Sequence, residues 1–148
     1  MDEISRLQRH LSVIRGCAGW TAATLGEMLG VKRQTISTIE QGEAKYKMTR
    51  MQYLAIRKVL DDEIAVHKDD TQMLKVLLDA LVDHPSEYTD AERTEILANA
   101  KLLAPAIIKT PTERKSASLK WKAILAASGV IASAALIAFF GRDKKLGG

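Results

Sequence analysis

The sequence predicts an all-α protein, and three observations support this prediction. Apolar residues recur at intervals of three and four along the first 110 residues, which is the spacing of one face of an α-helix. The chain of 148 residues contains only nine glycines and three prolines, so helix-breaking positions are few. The middle of the chain shows no pattern typical of a strand. We therefore expect a helical head, an acidic helical middle region and a C-terminal helix.

Four amphipathic helices are predicted in the head, residues 1–62. A cap at Thr21 begins the second helix, and glycines at positions 16, 30 and 42 end the first, second and third, the third running from about Lys32 to Glu40. Each helix has a stripe of apolar side chains that we expect to be buried: Ile4, Leu7, Leu11 and Ile14; Leu25, Met28 and Leu29; Ile36 and Ile39; and Met51, Leu54, Ala55 and Val59.

Two more helices are predicted in the acidic middle region, residues 63–108. The first begins at Asp70 or Thr71 and ends at His84 and Pro85. The second begins with a capping box made by Thr89 and Glu92, and Pro105 kinks or ends it. The sequence leaves open whether these helices pack on the head or form a dimer or partner surface. Their apolar stripes are Met73, Leu74, Leu77 and Leu81 in the first, and Ile96, Leu97, Ala100 and Leu103 in the second.

The C-terminal part is predicted to be a linker over 109–120, a single transmembrane helix over 121–141 and a basic tail over 142–148. The nineteen residues 123–141 contain no charged side chain, and as a helix they would be about 28 Å long, close to the hydrocarbon thickness of a bilayer. Basic residues flank this stretch on both sides, as they do in membrane spans. The alternative is a buried C-terminal helix of a soluble protein.

The predicted membrane helix has two further features. Trp121 lies at one end and Phe139 and Phe140 at the other, where interfacial aromatic residues are common. Gly129 and Ser133 are four residues apart, a spacing that lets two such helices approach closely. We expect this helix to anchor the chain in the lipid bilayer of the cytoplasmic membrane, with the head in the cytoplasm.

Residues 21–42 place two short helices on either side of a tight turn at Gly30, which is the pattern of a helix-turn-helix. The second helix of this motif lies in the major groove of double-stranded DNA, and its first residues contact base edges. Arg can bond guanine and Gln can bond adenine, whereas Lys, Ser and Thr suit phosphates. The residues expected to contact DNA are Lys32, Arg33, Gln34, Thr35, Ser37, Thr38, Lys45 and Lys47.

Residues 4 to about 61 resemble the Cro/repressor, or XRE, family of bacterial DNA-binding proteins. The family's usual following helix has its counterpart in residues 53–60. The resemblance implies an ion pair between Arg15 and Glu40 and a role in transcription regulation, such as repression. The sequence departs from the family pattern at Ala22, where a phosphate-binding Gln is common, and at Gly26, where Ala is common. The residues that carry the resemblance are Leu25, Gly30, Val31, Ile36, Ser37, Ile39, Glu40 and Gly42.

Charge agrees with a DNA-binding head. Residues 1–60 contain ten basic and five acidic side chains, residues 61–110 contain five and eleven, and residues 111–148 contain seven and two. A basic head indicates a polyanionic partner. Because one recognition helix reads only a few base pairs, we expect a homodimer on a two-fold site. The alternative is a membrane-anchored scaffold similar to the RodZ family, in which the helix-turn-helix binds a protein instead of DNA.

Nothing in the sequence favours an enzyme, a cofactor or a metal site. The chain has no glycine-rich phosphate loop and no pairing of a nucleophile with a base. The single cysteine, Cys17, excludes an internal disulfide and a cysteine-cluster zinc site. His10, His67 and His84 are scattered, and we interpret them as ordinary surface or half-buried residues.

Overall fold

A computed structural model describes residues 1–146 of the chain, with side chains as far as Gly141. These residues contain helices and no strand, which confirms the all-α prediction. A π-helical turn, Asp79–Asp83, follows α5, and short 3₁₀ turns precede α6 and α7 at Pro85–Glu87 and Pro111–Glu113. The α-helices are α1 (Glu3–Ala18), α2 (Ala22–Leu29), α3 (Arg33–Glu40), α4 (Arg50–Val66), α5 (Gln72–Leu78), α6 (Asp90–Lys109), α7 (Arg114–Ser128) and α8 (Ala134–Leu146).

Helix α1 is the centre of the core, because α3, α4, α5 and α6 all pack against it. Its Leu7, Leu11 and Ile14 are fully buried, as predicted. Gly16 does not end the helix. A Cβ atom at this position would lie only 2.8 Å from the Cβ of Ala104, so glycine is needed here for the close approach of α6. The helix ends instead at Gly19, which has a φ of 84°.

The middle helices pack on the head, which is one of the two arrangements that the sequence left open. Both α5 and α6 contact α1. In α5 and the π-helical turn the predicted apolar stripe is buried, whereas Leu97 and Leu103 of α6 are only partly buried. The predicted capping box of α6 is present, with Thr89 and Glu92 each accepting a hydrogen bond from the other's backbone N–H. Head and middle region therefore share one hydrophobic core.

The apolar stripe predicted for α4 is wrong at its first two positions. Met51 is 81% exposed and Leu54 is 53% exposed, whereas Ile56 and Leu60 are buried. Helix α4 carries apolar side chains on more than one side, and the side that meets the core is set by tertiary packing. Met28 of α2, also predicted to face inward, is 45% exposed.

Pro105 does not end α6, which continues to Lys109. Proline has no backbone N–H, so the carbonyl of Lys101 loses its usual helical partner. Both Pro105 and Lys101 are exposed to solvent, so water can bond this carbonyl without a buried unpaired group. The helix therefore continues beyond Pro105, which lies on its solvent-exposed side.

The segment predicted to be a linker is folded onto the rest of the chain. Helix α7 begins at Arg114, whose side chain is buried. Its guanidinium donates hydrogen bonds to the carboxylates of Glu63 at 2.7 Å and Asp70 at 2.9 Å, and to the backbone carbonyl of Ala18 at 3.0 Å. Because these partners belong to the head and the middle region, one side chain joins three parts of the chain.

The prediction of one continuous helix over 121–141 is wrong. Trp121 is fully buried, and its ring centroid lies 6.0 Å from that of Phe139 and 6.4 Å from that of Phe140. Residues eighteen positions apart in a single helix would be about 27 Å apart. The chain therefore folds back between them. Within the described residues, no helix has both the length and the apolar character that a bilayer crossing requires.

Gly129 and Ser133 lie in the connection between α7 and α8, so they do not form the predicted packing pair on one helix face. Gly129 ends α7 with a φ of 72°, in the left-handed region that favours glycine. Ser133 is buried, and its hydroxyl accepts a hydrogen bond of 3.2 Å from the backbone N–H of Leu136. The side chains of the predicted basic tail, 142–148, lie outside the described residues.

The carboxylate of Glu92 joins the start of α6 to the start of α8. It is fully buried and accepts hydrogen bonds from the backbone N–H groups of Thr89 at 2.8 Å, Ser133 at 2.9 Å and Ala132 at 3.1 Å. Burial alone would raise the pKa of Glu92, but these three donors outweigh it and lower the pKa to about 2. The ionised form is therefore the one that the fold stabilises.

Glu92→Gln is expected to lower the free energy of unfolding at neutral pH by about 1–3 kcal/mol, because charge-assisted hydrogen bonds are lost. In the native protein this stabilisation is complete above the ordinary pKa of 4.5 and disappears as the pH falls towards 2. The variant should therefore lose less stability than the native chain across this interval, as measured by urea unfolding at several pH values. Glu27→Gln, at an exposed position of α2, is the control. Identical pH profiles for Glu92→Gln and the native chain would contradict this account.

Candidate nucleic-acid interface

Helices α2 and α3 pack against each other across a very tight connection. Thr21 caps α2 as predicted, and Gly30 ends it with a φ of 71°. The backbone N–H of Val31 donates a 2.9 Å hydrogen bond to the carbonyl of Gly26. A Cβ at Gly26 would lie 2.8 Å from the Val31 carbonyl oxygen, so this close turn requires glycine at position 26. The departure from the XRE pattern at this residue therefore has a local packing reason.

The first residues of α3 project into solvent. Lys32, Arg33 and Gln34 are exposed, and neither of the two basic side chains forms an ion pair with the residues whose side chains are described. On the opposite side, Ile36 and Ile39 are buried and fix α3 against the core. The helix thus combines a buried inner face with two cations and an amide that project into solvent at its N-terminal end.

Three hydroxyl residues continue this surface along α3. Thr35, Ser37 and Thr38 are all partly exposed. The hydroxyl of Thr38 donates to the backbone carbonyl of Gln34 at 2.8 Å, so its oxygen remains able only to accept a further hydrogen bond. Of the three, Thr38 is therefore the least suited to donate to a phosphate.

The loop after α3 is held by a buried glutamine that sequence reasoning missed. Gln8 of α1 donates to the carbonyls of Ile39 at 2.9 Å and Tyr46 at 2.6 Å, and accepts from the N–H of Met48 at 2.9 Å. Its position four residues after Ile4, on the buried face of α1, was the signal available in the sequence. This network anchors the loop that carries the exposed predicted residues Lys45 and Lys47.

Arg15 and Glu40 form the ion pair that the family resemblance implies. The Nε and Nη2 atoms of Arg15 donate to both carboxylate oxygens of Glu40 at 2.8–3.2 Å, and its Nη1 donates to the carbonyl of Trp20 at 2.9 Å. The side chains are 13% and 11% exposed, so both charges are largely removed from water. The pair fixes the C-terminal end of α3 to α1, opposite the end that projects into solvent.

One group of possible metal ligands lies outside the head. Ligand atoms of Asp79, His84 and Glu87 come within 4.8 Å of one another, a proximity that residue spacing did not reveal. Asp79 already bonds the His84 ring nitrogen at 2.7 Å and the Tyr88 hydroxyl at 2.5 Å, and His84 and Glu87 are exposed. The hydrogen bond to Asp79 raises the pKa of His84. A surface ion pair accounts for this cluster, and we assign no metal to it.

Cys17 is not suited to nucleophilic chemistry. Its side chain is buried, and burial raises the pKa of the thiol to about 12. The thiolate, which is the reactive form, is therefore scarce at neutral pH. Cys17 packs as a small apolar residue, with its sulfur 3.8 Å from the carbonyl oxygen of Ala100.

The exposed end of α3 is therefore the group of side chains with the clearest binding chemistry in the described part of the chain. Arginine and glutamine form bidentate hydrogen bonds with base edges, and lysine suits phosphate oxygens. Comparisons with protein-family models, curated proteins and solved structures found no match to this chain. The family resemblance accordingly depends on the residues named above.

Proposed function

We propose that this protein is a helix-turn-helix transcription regulator that binds double-stranded DNA sequence-specifically, with α3 as its recognition helix. The observation that carries the proposal is the exposed group Lys32, Arg33 and Gln34 at the start of a helix whose other side is buried. In helix-turn-helix proteins the first residues of the second helix contact base edges. Arg33 and Gln34 read bases, and Lys32 contacts phosphate.

The charge of the head supports this function. Residues 1–60 have an excess of five positive charges, and Lys45 and Lys47 are exposed on the loop after α3. Cations near phosphates release condensed counterions, which strengthens binding at low salt. A head of this size contacts only a few base pairs, so two copies bind a two-fold site as a homodimer.

A protein-binding scaffold is the second candidate, and one observation favours it. Met28 and Val31, on either side of the turn between α2 and α3, are 45% and 38% exposed. Exposed apolar side chains beside a helix end suit contact with a protein better than contact with phosphates. In this function the head binds a protein partner through the same turn.

Arg33→Ala is expected to cost roughly 1–3 kcal/mol of binding free energy on the cognate site and to relax the preference at one base position. Lys32→Ala should weaken binding to all sequences alike and lower the salt slope by about one. The measurement is selection of sites from randomised duplex DNA by the full chain, followed by titration of the selected site with each variant. Lys68→Ala, an exposed lysine outside the head, is the control.

Two results would decide against DNA recognition by α3. Unchanged base preference in the Arg33→Ala variant would show that another surface reads the sequence. No selection of DNA by the native chain, together with a protein partner whose binding is lost in a Met28→Glu variant, would establish the scaffold function instead.

A further inference from the structure

Helices α7 and α8 each bury one side and expose apolar residues on the other. In α7, Trp121 and Leu125 are fully buried, as is Leu136 in α8. Leu119 is 59% exposed, Ile124 is 41% exposed and Ile137 is 56% exposed. We call the outward side chains of these two helices the C-terminal apolar face. It consists of Leu119, Ala123, Ile124, Ala126, Ala127, Ala134, Ile137 and Ala138.

The described charges around this face have one sign. Residues 115–141, the part of this segment whose side chains the structure describes, contain three basic residues and no acidic one, and none of the three lies beyond position 122. Lys115 and Lys120 are exposed on α7. Lys122 lies at the edge of the face, with its Nζ atom 5.6 Å from the centroid of the Phe139 ring. An uncharged apolar surface is thus bordered by cations.

We propose that the C-terminal apolar face docks on an anionic lipid bilayer, with α7 and α8 lying in the headgroup region. Helices that lie in a membrane interface combine an apolar face with lysines and arginines that attract anionic lipids. A second copy of this chain would instead bring the basic borders of two faces together, and like charges in contact are unfavourable. Charge complementarity therefore selects the bilayer surface as the occupant.

Docking in this way needs no change of fold. The contacts that hold α7 and α8 to the core are made by inward groups, such as Trp121 and the backbone N–H groups that Glu92 accepts from. The side chains that enter the lipid are those already exposed, Ile124 and Ile137 among them. The head surface at α3 takes no part, so this inference is independent of the proposed function.

The test is co-sedimentation of the full chain with phosphatidylcholine vesicles that contain phosphatidylglycerol, compared with vesicles of phosphatidylcholine alone. The native chain should bind only the anionic vesicles strongly. Ile124→Glu and Ile137→Glu should each weaken binding about tenfold, whereas Met51→Glu, at an exposed position of α4, should not. Circular dichroism confirms that each variant is folded.

The lysines give a second readout. Lys115→Gln and Lys120→Gln should each weaken binding to anionic vesicles about fivefold. Lys75→Gln, at an exposed position of α5, is the matched control. The proposal is overturned if the native chain does not bind anionic vesicles, or if the Ile137→Glu variant binds them as well as the native chain does.

Sedimentation equilibrium without lipid tests the competing occupant. A native dimer that Ile137→Glu dissociates would identify the face as a contact between two copies and overturn the proposal. Loss of vesicle binding in a Lys32→Ala variant, with full binding by the Ile137→Glu variant, would assign the lipid interaction to the head and also overturn it. Site selection on DNA is measured separately, so either proposal can fail alone.

Discussion

Trp121→Ala is expected to lower the free energy of unfolding by about 3–5 kcal/mol, the usual cost of truncating a fully buried aromatic residue. The Trp121 ring is inaccessible to solvent and packs against the rings of Phe139 and Phe140. Removal of the ring would leave a cavity between α7 and α8, and the free energy gained by burying the ring would be lost. If α7 were part of an isolated membrane helix or a flexible segment, this substitution would leave the free energy of unfolding of the head unchanged.

The measurement is urea unfolding of the full chain, followed by circular dichroism. Leu119→Ala, at a 59% exposed position of the same helix, is the control and should change stability by less than about 0.5 kcal/mol. Trp121→Phe should fall between the two, because it keeps most of the ring packing. A Trp121→Ala variant as stable as Leu119→Ala would show that α7 is not docked on the core in solution.

Glu40→Gln is expected to lower the free energy of unfolding by about 3–5 kcal/mol, because it leaves the Arg15 guanidinium largely buried without its counter-charge. The pair is 13% and 11% exposed, well below the exposure of surface pairs that contribute under about 1 kcal/mol. The same change should also weaken the proposed binding to DNA, since Glu40 fixes the end of α3 to α1.

A matched control and a compensating variant sharpen this test. Glu43→Gln removes an exposed carboxylate from the following loop and should leave the unfolding midpoint unchanged. Replacing both partners, as Arg15→Met with Glu40→Leu, should recover much of the loss, because no charge is then stranded. If Glu40→Gln unfolds at the same urea concentration as the native chain, the pair contributes nothing measurable.

The sequence predicted best where the signal was local. The caps at Thr21 and Thr89 depend on a side chain and a backbone group three residues apart, and both are present. Most of the predicted stripes of α1 and α5 is also confirmed: Leu7, Leu11 and Ile14 are buried in α1, where Ile4 is only partly buried, and Met73, Leu74 and Leu77 are buried in α5. Local chemistry of this kind does not depend on the rest of the fold.

Predictions failed where a distant residue decides the outcome. The sequence predicts a helix end at Gly16, yet this residue is the contact point for Ala104, eighty-eight positions later in the chain. The sequence predicts that Met51 and Leu54 are buried, but another side of α4 packs on the core. No local pattern specifies which neighbour a helix side will meet.

The prediction of a membrane helix over 121–141 failed for a different reason. A stretch without charges satisfies the composition of a membrane helix, but composition does not reveal a left-handed residue such as Gly129. The sequence places Trp121 and Phe139 at opposite ends of the predicted membrane helix, whereas in the structure their rings pack together. For the candidate DNA surface, the sequence predicts the exposed residues of α3 but not the role of Gln8. The place of Gln8 on the buried face of α1 is visible in the sequence, whereas its three backbone partners are distant in the chain and are known only from the fold.

The close contact of Gly16 with Ala104 has a consequence for synthesis of the chain. Ribosomes add about 5–20 residues per second, so roughly 4–18 s separate the appearance of these two positions. During that interval the side of α1 that α6 covers has no partner and presents apolar surface to the solvent. The side of α1 that α6 covers therefore stays uncovered until α6 is synthesised, and a chaperone that binds apolar helices would meet the nascent chain there.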